Sequence, residues 1–269
     1  MKKLFSDKWL IISFAWILLI ILILLIGPCF LSQDPYKTNM KEAFQRPSIE
    51  HICGTDNLGR DIFARIIVGG RTSVFVALIV VALSAIIGIS VGIIAGYFGG
   101  IVDRIISDII TIFQAFPAFV LAIAIAGILG QDLKNAVIAL CAVYWVTYAK
   151  LARSMVQQLR AENYVKAAWL CGAGPLSIFR KYILPGIAGT MIITIMLDIG
   201  SVIISMAGLS FLGLGAVRPT AEWGTVMSEA RDYLQKAPWI MVFNGIALFM
   251  VVIGFNRFGE ALEEKISHR

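Results

Sequence analysis

His51, Cys53, Asp56 and Asp61 fall within residues 51–61, in the run His-Ile-Cys-Gly-Thr-Asp-Asn-Leu-Gly-Arg-Asp. Imidazole, thiolate and carboxylate groups this close together could ligate a soft metal ion. The same run also reads as a turn-rich structural segment, because Gly54, Gly59 and Asp56-Asn57 favour tight turns. A second group lies in an apolar stretch. Thr190, Thr194, Asp198, Ser201, Ser205 and Gly208 recur three or four apart, so on a helix they share one stripe. A carboxylate there is expensive and faces a water-filled cavity or a partner charge, which favours a pathway-lining role. The alternative is structural: Asp198 pairs with a helix neighbour and the hydroxyls bond back to their own backbone carbonyls. Catalytic signatures are missing. No Gly-x-x-x-x-Gly-Lys-Ser/Thr, no His-Glu-x-x-His and no nucleophile elbow occurs, and His51 and His268 lie at opposite ends of the chain. The chain is expected not to be an enzyme and to hold no metal or cofactor of its own.

The elements that must position these groups belong to a membrane. The chain is 59% hydrophobic and 15% charged, with mean hydropathy +0.85. A soluble domain carries about 25% charged residues, so an all-α polytopic membrane protein is expected. The net charge of +6 then reads as topology-setting charge rather than as a nucleic-acid footprint. Cys29, Cys53, Cys141 and Cys171 form no Cys-x-x-Cys pair, which argues against a disulfide framework or zinc site, and no Asn-x-Ser/Thr sequon occurs.

Six apolar spans are expected, at residues 9–26, 73–98, 109–130, 135–149, 183–217 and 237–256. The fourth is short for a bilayer and must borrow flanking residues or lie where the protein is locally thin, and the fifth is long enough to continue as a bent or re-entrant element. The first follows Lys2, Lys3 and Lys8 and ends at Gly27-Pro28, with no signal cleavage site behind it; it is read as a membrane anchor. Those lysines place the N-terminus in the cytoplasm, and parity then places both termini there. Ser84, Gly88, Gly92, Gly96 and Gly100 recur every four residues in the second span and form a small-residue packing face.

Around residues 150–182, Lys150, Arg153, Arg160, Lys166, Arg180 and Lys181 stand against the single acid Glu162. This excess places the loop on the cytoplasmic side. Helix formers over 161–170, the breakers Gly172 and Gly174, and Pro175 in a first turn predict two short helices, a docking device between spans.

Here the sequence resembles the EAA loop of ABC-importer permeases. Ala167, Ala168, Gly172, Leu184 and Pro185 fall on its pattern, while Lys166 replaces Glu and Tyr182 replaces Ile. The His51 run resembles the His-x-Leu-Gly-Thr-Asp motif of the dipeptide, oligopeptide and nickel branch, with Cys53 in the Leu place; this sides with the structural reading of that segment. Ser210-Phe211-Leu212-Gly213-Leu214-Gly215, Pro219 to Trp223-Gly224, Ala237-Pro238-Trp239 and Phe255-Asn256 with Gly259 follow in the branch's order. The resemblance implies a type I importer permease fold. Residues 1–68 would form the N-terminal span and extracytoplasmic segment, 69–260 the permease domain with its coupling loop at 150–182, and 261–269 a cytoplasmic tail. It also implies a second permease, two cytoplasmic ATPase subunits holding ATP and Mg, and an extracytoplasmic substrate-binding protein, in the lipid of a prokaryotic cytoplasmic membrane. The coupling residues would be Glu162, Lys166, Ala167, Ala168, Gly172, Leu184 and Pro185. The segment from Leu197 to Gly200, Ala207-Gly208, and Pro219 to Gly224 look nearer to nickel permeases than to peptide permeases. Nickel or a metal chelate is therefore the expected cargo, with di- or oligopeptides as the alternative. A secondary transporter or a channel is the alternative of another class; the first would be expected to show repeats and several intramembrane charges, and the second needs no docking loop.

Overall fold

The structure is a computed structural model that describes residues 2–267, with the side chains of residues 8–266. Lys2 and Lys3 of the basic start therefore have no described side chains, and His268 and Arg269 of the expected tail lie outside the described residues. No strand occurs among the described residues; one isolated bridge joins Thr55 and Asp61. Five helices are long and apolar enough to cross a membrane, or six if one bent pair counts as a span.

Helix α1 is Lys2–Ile26 and ends at a short turn carrying Pro28. Helix α2 is Ile62–Phe98, beginning well before the expected residue 73. It starts early because the Asp61 carboxylate caps it, accepting from the Ala64 amide at 2.7 Å. The proposed boundary at 68/69 thus falls inside this helix.

The expected third span is broken. Helix α3, Gly100–Gln114, and helix α4, Ala118–Leu129, meet at 87°. Pro117 lacks an N–H and drives the preceding residue out of helical conformation, which ends α3 and redirects the chain. The fourth span borrows its flanking residues: helix α5, Leu133–Ala161, runs through Lys150 and Arg153 and reaches 29 residues, long enough to cross.

Helix α6 is Asn163–Leu170 and α7 is Pro175–Ile178. The second loop helix is not a separate unit. A π turn at Phe179–Ile183 joins α7 to α8, Leu184–Phe211, giving one apolar helical run, Pro175–Phe211. The π turn ends two residues before Pro185, where a missing N–H would interrupt an ordinary helix. Helix α8 ends in a turn at Gly213, so it does not continue to residue 217. Helices α9, Trp223–Ala230, and α10, Pro238–Ser267, complete the chain, and the expected tail begins as the last turns of α10.

Helices α2 and α5 run parallel at backbone contact. A Cβ at Gly88 or Gly92 would overlap the carbonyl oxygen of Trp145 or Ala149, and one at Gly96 would lie 2.7 Å from that of Arg153. Lipid gives no hydrophobic drive between helices, so close backbone approach supplies the packing. Ser84 is buried on the same helix, but Gly100 has left the ridge to open α3. The main core then joins Val74, Ala77 and Val81 of α2, Leu140 of α5, Ile203 and Met206 of α8, and Val251 and Phe255 of α10. Helix α1 lies on α10, where Trp16 Nε1 donates to the Met250 carbonyl at 3.1 Å.

Candidate functional site

At one end of the bundle, α6 and α7 form the loop expected to dock a partner. Glu162 leaves helical geometry between α5 and α6, and its carbonyl accepts from Val165 at 3.2 Å and Lys166 at 3.1 Å. Val165, Ile178, Ile183 and Ile187 pack on Ala152 and Val156 of α5, which fixes the loop against the bundle. Lys166 and Ala167 are exposed and Ala168 half-buried. Gly172 takes φ +83° and ends α6, with Ala173 N donating to Ala168 O and Gly172 N to Trp169 O, both at 3.0 Å. This is the left-handed termination that glycine favours. The outer surface keeps Tyr164, Trp169, Leu170 and Leu176 exposed, Leu170 at 90%. Leu184 is exposed as well, and Pro185 follows it in the same helical run. Exposed apolar groups on a loop helix of this kind suit an interaction surface.

Next to the loop, α3 is clasped to α5. Asp103 accepts from Arg153 Nε and, at 2.8 Å, from Arg153 Nη2, while Gln157 adds a bond at 3.0 Å. Arg160 donates to the Gly96 carbonyl at 3.2 Å and stacks 5.4 Å from the Tyr97 ring centroid. Asp103 was not singled out in the sequence. Its only signal was an acid just beyond an apolar span, without a partner at helical spacing.

The polar stripe of α8 does not act as one surface. Thr194 Oγ1 donates back to the Thr190 carbonyl at 2.9 Å, as the structural alternative expected. Ser205 meets the Tyr144 hydroxyl of α5 at 2.9 Å. Asp198 lies beside Tyr148 of α5, yet Asp198 Oδ2 and Tyr148 Oη are both buried without a hydrogen-bond partner. Ser201 alone of the expected five is exposed, and Gly208 lies under Phe119.

At the opposite end, the His51 segment is knitted by its own side chains. His51 Nδ1 is 2.8 Å from Asp61 Oδ2 and its Nε2 is 3.6 Å from Glu42. Asp56 accepts from the Leu58 amide at 2.8 Å, the Arg60 amide at 2.9 Å and Arg60 Nε at 2.6 Å. Burial first, and the Asp61 charge second, push the Cys53 thiol up to about 11, so it stays a protonated, inert group. Among the described residues, no group of three or more His, Cys, Asp or Glu side chains is placed to hold a metal ion. Long-range bonds tie this segment to α9. Glu229 accepts from Arg60 at 2.6 Å and Arg65 at 3.1 Å and faces Arg218 at 3.5 Å. Buried Glu222 caps α9 through the Thr225 amide at 2.9 Å and accepts from Ser73 of α2 at 2.9 Å. Sequence reasoning missed the pairing of Arg60 and Arg65 with Glu229 and of Ser73 with Glu222, each more than 140 residues apart along the chain.

Comparison with known proteins points the same way as this geometry. A family model described as the binding-protein-dependent transport system inner membrane component matches residues 88–268. The chain is 40% identical over 265 residues to a dipeptide transport system permease protein of Alkalihalophilus pseudofirmus, covering 98% of this chain and 87% of that one. It is 35% identical over 262 residues to a nickel transport system permease protein of Escherichia coli, covering 97% and 95%. Among solved structures, an inward-facing form of the MetNI methionine ABC transporter aligns with a TM-score of 0.52 at 17% identity, covering 71% of this chain and 94% of that one. At that identity the likeness shows the fold, a type I importer permease.

Proposed function

The chain belongs to the family of binding-protein-dependent transport system inner membrane components, and from that premise we propose that it is one of two membrane subunits around a central pathway. As a multi-pass permease of an ABC importer it works with ATPase and substrate-binding partners. In the proposed assembly, two cytoplasmic ATPase subunits hold ATP and Mg and do the hydrolysis, while this chain does none. The binding protein delivers cargo at the His51 end, and both termini and the α6–α7 loop face the cytoplasm.

One observation carries the mechanism. The exposed loop is continuous with the bundle, because α7, the π turn and α8 form a single helical run, Pro175–Phe211. Such a run is about 55 Å long at 1.5 Å per residue. A push on Leu176, which lies in this run, would be delivered along it toward the opposite mouth. ATP-driven closure of the partner subunits would rock this run against α2 and α5 and alternate access beside Asp198.

The test is purification from the native membrane, identification of the co-purifying chains, and ATP-dependent uptake by the reconstituted complex. Uptake by this chain alone, without ATP, would place it among secondary transporters or channels instead. Cargo is the finer question, since the relatives are named for dipeptide and for nickel. Sequence pattern favours nickel or a metal chelate, with di- or oligopeptides as the second reading. Uptake of radioactive nickel and labelled dipeptide, with and without the chain, decides between them.

A further inference from the structure

The segment between α1 and α2 is inside out for a loop facing water. Ile49 is 100% exposed and Ile52 61%, while His51 between them is 5% exposed and Cys53 is buried. Asp61 holds His51 inward at 2.8 Å. Ser48 closes the turn that presents the two isoleucines. Its amide donates to the His51 carbonyl at 2.8 Å, and its hydroxyl accepts from the His51 amide at 3.1 Å. Water would drive an isoleucine inward and leave an imidazole outside. The tip therefore needs an apolar environment beyond its own chain.

Phe30 stands beside it. The turn Gly27–Phe30 follows α1 directly, and Phe30 is 81% exposed. It lines one cavity of about 210 Å³ with Ile49, Ile52 and Phe63 of the first turn of α2. The tip thus returns to the level at which α1 leaves the apolar layer and α2 enters it. Helix α1 is the least buried of the five candidate spans, and Ile11, Ile12, Leu18, Leu19, Leu22 and Ile26 stand 43–67% exposed along it. Such a helix at the edge of a bundle meets lipid, and Phe30 carries that surface on to Ile52 and Ile49. Ser32, Gln33 and Glu50 bring polar groups to the same cavity, the mixture that suits the boundary between headgroups and acyl chains. The backbone at the tip is not helical, so it cannot pass deeper into the hydrocarbon, where unpaired amides and carbonyls find no partner.

We propose that Phe30, Ile49 and Ile52 form an interfacial anchor that dips into the phospholipid leaflet at the His51 end of the bundle. Ile49 and Ile52 flank His51, whose partner Asp61 caps α2. The start of α2 is thereby moored to the membrane surface through a short chain of side-chain contacts. The anchor requires only that the chain spans a bilayer; it depends neither on cargo nor on ATP.

The test places nitroxide labels on the complex purified with its partner chains and reconstituted in phospholipid nanodiscs, in a Cys29→Ser and Cys171→Ser background. That background without a further cysteine reports any label on buried Cys53 or half-buried Cys141. Ile49→Cys and Ile52→Cys are compared with Asp232→Cys, whose native side chain is 76% exposed at the same end of the bundle. Power saturation reads collision with oxygen, which concentrates among acyl chains, and with nickel ethylenediaminediacetate, which stays in water. The oxygen-to-nickel collision ratio should be roughly threefold or more higher for Ile49→Cys and Ile52→Cys than for Asp232→Cys. An equal ratio would place the tip in water, and low collision with both reagents would place it under a partner protein. Either result overturns the proposal. Should a label at one isoleucine disturb assembly, Phe30→Cys reports the same ratio. These readings need no transport, so absence of ATP-driven uptake by the unsubstituted complex would overturn the importer reading alone.

Discussion

Gly172 ends α6 at φ +83°, and a Cβ there would meet nothing within 4 Å. The restriction is therefore backbone conformation and not crowding within this chain. A left-handed residue costs roughly 1–2 kcal/mol for an ordinary side chain, least for Asn and most for a β-branched residue. Transport and stimulated ATP hydrolysis should fall in the order Gly172, Gly172→Asn, Gly172→Ala, Gly172→Val, with insertion retained throughout. Normal uptake with normally stimulated ATPase in Gly172→Val would remove the loop geometry from coupling. Asp198 presents a different problem, a half-buried carboxylate beside the unpartnered hydroxyl of Tyr148. An amide is cheaper to hold in that setting than a charge. Asp198→Asn should leave the yield of assembled complex at or above that of the native chain while lowering uptake. Reduced yield would make the residue structural, and full uptake at full yield would exclude it from the pathway. Spacing made this residue visible in the sequence. It could not tell that the stripe divides between α5, its own backbone and the exterior.

Glu229 joins two elements that have no local reason to meet, the segment leading into α2 and the short helix α9. Replacing it with Gln leaves Arg60 and Arg65, both buried, with Asp56 as their remaining acid. Breaking a buried pair by removing one partner typically costs about 3–5 kcal/mol. Thermal unfolding of the purified complex should therefore begin well below the native temperature in Glu229→Gln. The exposed pair Arg257–Glu260, at 3.1 Å, should contribute less than about 1 kcal/mol when removed. Equal losses from the two substitutions would refute the structural role given to Glu229. At this scale the sequence was legible where the signal was local. Pro28 after α1, the breakers Gly172 and Gly174, and Pro175 opening a helix all lie where helix chemistry places them. It was illegible where a charge is neutralised from afar. Lys150 and Arg153 marked the end of a span by composition, yet α5 continues through both because Gln114 and Asp103 of α3 meet them. Arg71, just before the expected start at residue 73, likewise lies within α2, exposed on its surface.

Across the whole molecule, the two ends of the bundle differ in kind. One carries the exposed apolar loop with Lys166, Arg180 and Lys181, and the other carries the buried ion network and the apolar tip at Ile49 and Ile52. The proposed orientation puts exposed Cys29 outside and exposed Cys171 in the cytoplasm. A membrane-impermeant maleimide applied to intact cells or spheroplasts should label Cys29 at once and Cys171 only after permeabilisation. Cys53, buried and with its thiol pushed up to about 11, should resist at neutral pH and react as the pH approaches that value. The sign follows from the thiolate being the reactive form, whose fraction rises only near the folded-state pKa. Labelling of Cys171 before Cys29 would invert the topology.

Membrane class, the order of the spans and the place of the polar helical loop were determined by the sequence alone, because composition, helical periodicity and Gly or Pro chemistry act over a few residues. Which faces meet was decided only by tertiary structure. The Gly88, Gly92 and Gly96 ridge announced a close helix contact but could not name α5 as the partner, and a bend at Pro117 divided an apolar run that looked continuous. Three arginines sharing two carboxylates exist only once residues 56–65 and 218–229 are packed together. Spacing tells which side chains share a helix face. Packing alone decides what that face is turned toward, and hence which charges are cancelled and which remain.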